Sequence, residues 1–220
     1  MQYTSNTSYD ALATAVSGVN RRGQHRAGDM PFAGQEKSMA CREERSMEIR
    51  QLEREIYAGK KFTARYRTGG YYDICPSDTG FRMNYKRFDA PVERSFDDVF
   101  FGDWLEAPVA FGAFESGVLI GYAEGSAESW NGRFRISNIC VFDNAERGRG
   151  IGTALMDTIQ KAAAASGARM IVLETQSCNE AAIAFYRRNG FAVIGFDLYA
   201  YSNTDPERHE VRIEMGKKLR

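Results

Sequence analysis

The stretch Arg147-Gly148-Arg149-Gly150-Ile151-Gly152 joins two runs of different period. Before it, Ile136 to Phe142 reads as a strand. After it, Ile151, Leu155 and Ile159 fall near helical spacing until Gly167 ends the run. Alternating glycines let the backbone curl closely around a ligand. The helix start aims unpaired N–H groups and the positive end of its dipole at the same point. Two arginines add formal charge, so the stretch suits a phosphate or pyrophosphate. Its spacing is not G-x-G-x-x-G, and it lacks the Lys-Ser/Thr ending of a P-loop. Taken alone, three glycines at a helix start also suit a tight turn.

Working outward, the chain before the loop reads as strands. Lys61 to Arg67 and Tyr71 to Cys75 form one pair of segments and Gly80 to Phe88 another, with Pro76 to Gly80 as a turn. Ser95 to Trp104 reads as a short helix stopped by Pro108. Val109 to Phe114, Val118 to Trp130 and Arg133 to Phe142 follow as strands, the last two joined by a two-residue Asn131-Gly132 hairpin. After the loop helix come a short apolar strand, Met170 to Thr175, and a helix, Asn179 to Asn189, with Gly190 at its end. Phe191 to Ala200 and Glu210 to Met215 close the chain as strands. A meander followed by β-α-β-α-β-β predicts one α/β domain with a mixed sheet over residues 46–220. Residues 1–45 are rich in Ser, Asn, Gly, Arg and Gln without a sustained period, and read as a low-order extension.

Composition narrows the function. The 29 Lys and Arg balance 29 Asp and Glu, so no basic excess argues for nucleic acid. The cysteines, Cys41, Cys75, Cys140 and Cys178, are scattered without CxxC spacing, and His25 and His209 are the only histidines, so no metal is expected. Reduced thiols, no signal peptide and no apolar run long enough to span a bilayer predict a cytoplasmic protein with no membrane partner. A homodimer is compatible with all of this.

Arg147-x-x-Gly150-x-Gly152 resembles the acetyl-CoA pyrophosphate motif of the GNAT N-acetyltransferase superfamily. Leu173-Glu174-Thr175, Asn179, Ala182, Phe185-Tyr186 and Gly190-Phe191 match the second half of that pattern in order and separation. Leu119 to Tyr122, Glu128 to Asn131, Leu173 to Asn179, Gly195 to Asp197 and Tyr201 to Asn203 further resemble the streptothricin acetyltransferase-like group, across roughly residues 60–219. The resemblance implies a GNAT fold, a mixed and mostly antiparallel sheet flanked by helices. It implies acetyl-CoA as co-substrate, a small-molecule amine acceptor and a link to antibiotic resistance. A protein or peptide acetyltransferase and a non-catalytic acyl-CoA-binding module are the competing readings.

Each step of acetyl transfer to an amine then finds candidates. Gly148, Gly150, Ile151 and Gly152 amides cradle the pyrophosphate, and Arg147 and Arg149 add charge-assisted bonds worth about 1.5–3 kcal/mol each where shielded. In the family the preceding strand, here Ile139-Cys140-Val141, bonds the pantetheine arm, and its amides polarise the thioester oxygen. A lysine-like amine costs about 4.6 kcal/mol to deprotonate at neutral pH. Glu128 and Glu124, on one strand face, are candidate bases. With a two-residue turn, Glu128 instead lies opposite Arg135, and a plain cross-strand ion pair explains it. Glu174 serves equally as a base or as a strand-end hydrogen-bond acceptor. In the family, the tyrosine matching Tyr186 donates a proton to the leaving thiolate, while Asn179 caps its helix, contacts CoA, or both. No cysteine is placed as an acyl carrier, so direct transfer in a ternary complex is expected.

Overall fold

The computed structural model describes residues 46–143, 145 and 148–219. The low-order extension expected over residues 1–45 lies outside them, as does Arg147. Seven strands form the main sheet in the order β1-β4-β5-β6-β7-β9-β8. They are β1 (Met47–Gln51), β4 (Val109–Glu115), β5 (Val118–Glu128), β6 (Arg133–Val141), β7 (Met170–Gln176), β8 (Ala192–Asp197) and β9 (Arg212–Lys218). All neighbours run antiparallel except β6 and β7. That parallel step is the one bridged by a crossover helix, α2 (Ile151–Ala165).

α2 supplies one wall of the core because its apolar residues recur at helical spacing. Leu155, Met156, Ile159 and Ala163 are fully buried. Gly121 on β5 lets the helix approach: a Cβ there would stand 3.0 Å from Leu155 Cδ1 and 3.1 Å from the Ile151 side chain. Alternation turns Ala123 to this helix side, while Tyr122 joins a second cluster with Phe62, Phe100 and Phe114 on the other. α3 (Glu180–Arg188) follows β7 and adds Ile183 and Tyr186 to the first core.

β2 (Lys61–Ser77) and β3 (Gly80–Val99) form a separate two-stranded hairpin. Its inner strand crosses the ends of the main-sheet strands. Phe62 packs on Tyr122 and Phe142, Tyr66 hydrogen-bonds Gln176, the Tyr72 amide donates to the Ser177 carbonyl, and Phe81 packs on Phe196.

Several expectations are corrected here. The segments Lys61 to Arg67 and Tyr71 to Cys75 are one strand, irregular between Thr68 and Gly70. Ser95 to Trp104 is not a helix: β3 continues to Val99, with Ser95 to Val99 paired to Lys61 to Arg65. Cross-strand pairing outweighs local pattern there, and Asp97 accepts a 2.6 Å hydrogen bond from Thr63. The Asn131-Gly132 hairpin is a four-residue loop, Ser129 to Gly132, so Glu128 faces Arg133 in register rather than Arg135. β1 and two single-turn helices, α1 (Arg54–Tyr57) and α4 (Asp205–Arg208), lack a sequence signal strong enough to anticipate.

Leu155→Ala opens a cavity between α2 and β5 and is expected to cost about 2–5 kcal/mol of stability. Urea unfolding followed by circular dichroism checks it.

Candidate active site

The glycine loop adopts the conformation its sequence suggests. Gly148 and Gly150 have φ of 83° and 78°, a left-handed backbone that favours glycine. A Cβ at either would meet nothing within 4 Å, so backbone shape rather than crowding asks for glycine. Gly150 caps α2 without a side-chain bond, and no acid occupies the first turn. The first intrahelical bond runs from the Ala154 amide to the Gly150 carbonyl, leaving the Ile151, Gly152 and Thr153 amides without helical partners. They border a cleft of about 420 Å³ together with Arg65, Val141, Asp143, Phe185 and Arg188. Open amides, a helix dipole and room for a ligand fit a pyrophosphate. Arg149 lines this cleft but is no solvated flank, because its guanidinium pairs with Glu115 at 2.5 Å.

Beside the loop, β6 and β7 separate. They pair from Arg133↔Met170 to Ile136↔Leu173 and no further. On its other edge β6 carries an irregularity: Gly125 faces Ile136 and Glu124 faces Asn138, leaving Ser137 as the extra residue. Ile139, Cys140 and Val141 thus have no strand partner on the β7 side among the described residues. This is an edge an extended ligand can join. Tyr186 reaches the same region from α3. Its ring packs against Phe185 and Phe191, it is 7% exposed, and its hydroxyl has no hydrogen bond among the described residues. Burial first and Cys140 second raise its pKa well above the usual tyrosine range. Asn179 caps α3, accepting a 3.2 Å hydrogen bond from the Ala182 amide.

The thiols are poor nucleophiles. Burial, then Asp98, pushes Cys140 up to about 12, and burial raises Cys178. Cys75 is raised by its hydrogen bond to Asp73. Each is held in the thiol form at neutral pH.

The two glutamates of β5 have opposite environments. Glu124 is 1% exposed and sits beneath the hairpin. Its carboxylate accepts from the Phe101 amide at 2.8 Å and the Ser137 hydroxyl at 3.2 Å. Burial holds its pKa above the ordinary carboxylate range, although Tyr122, Ser137 and the Phe101 amide favour its charge. Phe101 has φ of 54°, unusual for a bulky residue, and that conformation delivers its amide to Glu124. Asn138 also contacts Glu124 and donates to Asp98 at 3.0 Å. The register then runs Glu124↔Asn138 and Tyr122↔Cys140. Asn138 and Cys140 thus follow one another on the same face of β6, and Cys140 is close enough to Tyr186 to influence its hydroxyl.

Glu128 lies at the far end of β5 in an ion-pair ladder. It accepts from Arg135 at 2.6 Å, Asn131 at 2.9 Å and Arg133 at 3.0 Å. Arg135 continues to Glu214 and Glu174, and Arg212 joins Glu174 to Asp197. Burial alone would raise the Glu128 pKa, but the Arg135 and Asn131 hydrogen bonds outweigh it and hold the carboxyl below its usual range. Glu174 belongs to the same ladder. Ser137, Asn138, the Phe101 amide, Arg65 and Arg188 carry no motif that marks them in sequence. The Ser137 irregularity and the path of the hairpin bring them here. Among the described residues no helix is long and apolar enough to cross a membrane, and no cluster of three His, Cys, Asp or Glu could hold a metal.

Residues 78–191 match the acetyltransferase (GNAT) family. A streptothricin acetyltransferase from Streptomyces lavendulae is 32% identical over 161 residues, which cover 68% of this chain and 84% of that protein. The crystal structure of nourseothricin acetyltransferase superposes with a TM-score of 0.64 at 27% identity, over 79% of this chain and 99% of that one. A Bacillus anthracis structure in complex with acetyl coenzyme A superposes with a TM-score of 0.57 at 21% identity over 80% and 99%, a likeness of fold. The chain thus belongs to the GNAT family, as an acetyl-CoA-dependent N-acetyltransferase close to the streptothricin acetyltransferases.

Proposed function

We propose that the chain acetylates a primary amine of a cationic, streptothricin-like small molecule by direct transfer from acetyl-CoA in a ternary complex. The observation that carries this is the buried, hydrogen-bonded Glu124 set on the same strand pair as the residue beside Tyr186. The relatives named for streptothricin acetylation support the acceptor class. Acetyl-CoA supplies an activated acetyl thioester when bound.

Glu124 takes a proton from the acceptor ammonium, directly or through one water. Its raised pKa brings it closer to the amine than an exposed carboxylate would be, which eases the transfer. Freed of that proton, the amine nitrogen bonds to the thioester carbon as the carbon–sulfur bond breaks, and the second proton that the nitrogen sheds as the amide forms passes through solvent to the departing sulfur. Tyr186 is protonated throughout the physiological range, so it can always donate a hydrogen bond to the departing sulfur. Full transfer from so weak an acid to a free thiolate is uphill. Tyr186 therefore keeps its proton and stabilises the departing sulfur through that hydrogen bond alone. The products are an amide and the free CoA thiol. Held as thiols, Cys140 and Cys178 favour this route over an acetyl-enzyme. Glu128, held by two arginines, serves the sheet rather than the reaction.

An acetyl-CoA-dependent thiol-release assay over streptothricin, aminoglycosides, polyamines and peptides tests the acceptor. Turnover is expected to be highest with streptothricin, and turnover with peptides alone would replace this reading. Glu124→Gln is expected to lower kcat by about 10²–10⁴-fold. In the native enzyme kcat/KM falls as pH drops through the raised Glu124 pKa, because only the carboxylate can accept the proton, and the variant loses that acid limb. Tyr186→Phe is expected to lower kcat by about tenfold or more while leaving acetyl-CoA affinity near native. Steady-state kinetics at saturating acceptor separate the two. Glu128→Gln is expected to keep kcat within about threefold and lose about 1–3 kcal/mol of stability, read from parallel kinetics and urea melts.

A further inference from the structure

The donor cleft has a wall that the glycine loop does not supply. Arg65 comes from the β2–β3 hairpin and reaches the cleft mouth, where its guanidinium pairs with Asp143 at 3.0 Å. Asp143 follows the end of β6, so this pair ties the hairpin to the start of the glycine loop, 78 residues away in sequence. Both side chains are more than half exposed, at 60% and 53%. An exposed pair of this kind is held weakly and exchanges partners readily. The backbone beneath it is firmly placed. Half-buried Tyr66 donates to Gln176 at 2.5 Å, and Phe62 packs on Tyr122 and Phe142. The arginine can therefore swing while its Cα stays at the mouth.

Arg188, in the last turn of α3, faces the same cleft from another wall. Arg149 is drawn toward Glu115. Asp143 is an acid at the rim of a cleft built for an anion, where it would repel phosphate. Among the described residues, the partner it holds is Arg65. A second cavity of about 280 Å³ shares Arg65, Tyr66 and Asp143 with the cleft, so the pair also stands between two cavities.

We propose that Arg65, with Arg188, is a phosphate ligand for CoA, and that Asp143 is the counter-ion it leaves when CoA binds. The hairpin then contributes directly to donor binding, and its arginine is exchanged from carboxylate to phosphate. A guanidinium suits this exchange because it pairs with both groups in the same bidentate geometry. This rests on acetyl-CoA as the donor and is independent of the acceptor and of Glu124.

Calorimetric titration of the full chain with CoA, without any acceptor, tests it. Arg65→Gln is expected to weaken CoA binding about tenfold, and Asp143→Asn to tighten it about threefold, since the competing carboxylate is gone. A purely structural strap predicts that both variants weaken binding alike. Repeating the titration with dephospho-CoA identifies the phosphate. A penalty from Arg65→Gln that persists assigns the pyrophosphate, and one that vanishes assigns the 3′-phosphate. Unchanged affinity in Arg65→Gln, or CoA binding by Asp143→Asn no tighter than native, overturns the proposal. Melting curves establish that both variants are folded.

Discussion

β6 and β7 pair as parallel strands only as far as Ile136↔Leu173, and the catalytic architecture follows from where that pairing stops. The amides of Ile139 and Val141, which point away from β5, would be satisfied by β7 in a regular sheet. Once the strands part they need a partner, and an extended ligand can supply it. The extra residue at Ser137 accompanies the separation on the other edge of β6. It shifts the phase of the strand, so that Arg133, Arg135, Asn138 and Cys140 share one face despite their unequal spacing. Without it, Asn138 would turn away from Glu124.

The parted strands set the two residues of the proposed mechanism on different elements. Glu124 comes from β5, on one side of β6, and Tyr186 comes from the helix after β7, on the other. Each has a raised pKa for the same first reason, removal from water, but the consequence differs. For a base, desolvation strengthens proton affinity while the hydrogen bonds from Phe101 and Ser137 keep the charged form accessible. For a phenol, desolvation guarantees the proton through which it donates a hydrogen bond. One physical effect thus prepares both an acceptor and a donor, and the local hydrogen bonding distinguishes them.

The glycine loop, its flanking helix and the Asn179 to Phe191 segment were legible in the sequence because each is local. Positive φ, helix spacing and a cap are properties of a few consecutive residues. The order of the main-sheet strands from Val109 onward was legible for the same reason. The single long strand from Gly80 to Val99 was not, because Ser95 to Val99 is held by partners 30 to 38 residues away. The choice between Glu124 and Glu128 was also hidden. Both stand on one strand at like parity, and only the fold shows that two arginines claim one of them while a strained loop amide and two β6 side chains claim the other.

The long hairpin and the helix that opens at the glycine loop are attached to the sheet in different ways. The cradle for the pyrophosphate lies in the loop and in α2, whose packing on β5 admits little change: Leu155, Met156 and Ile159 are sealed. The hairpin is attached differently. It is held at intervals along both of its strands: Phe62, Tyr66, Tyr72 and Phe81 meet the sheet, Ile74 is buried in the core, Gly69 and Tyr85 bond Glu180, Arg94 pairs with Glu210 and Asp98 bonds Asn138. A surface anchored at intervals can change between its anchors at small cost to the core. Exposed positions between the hairpin's anchors can therefore vary at little cost, while α2 keeps the packing beneath the glycine loop fixed.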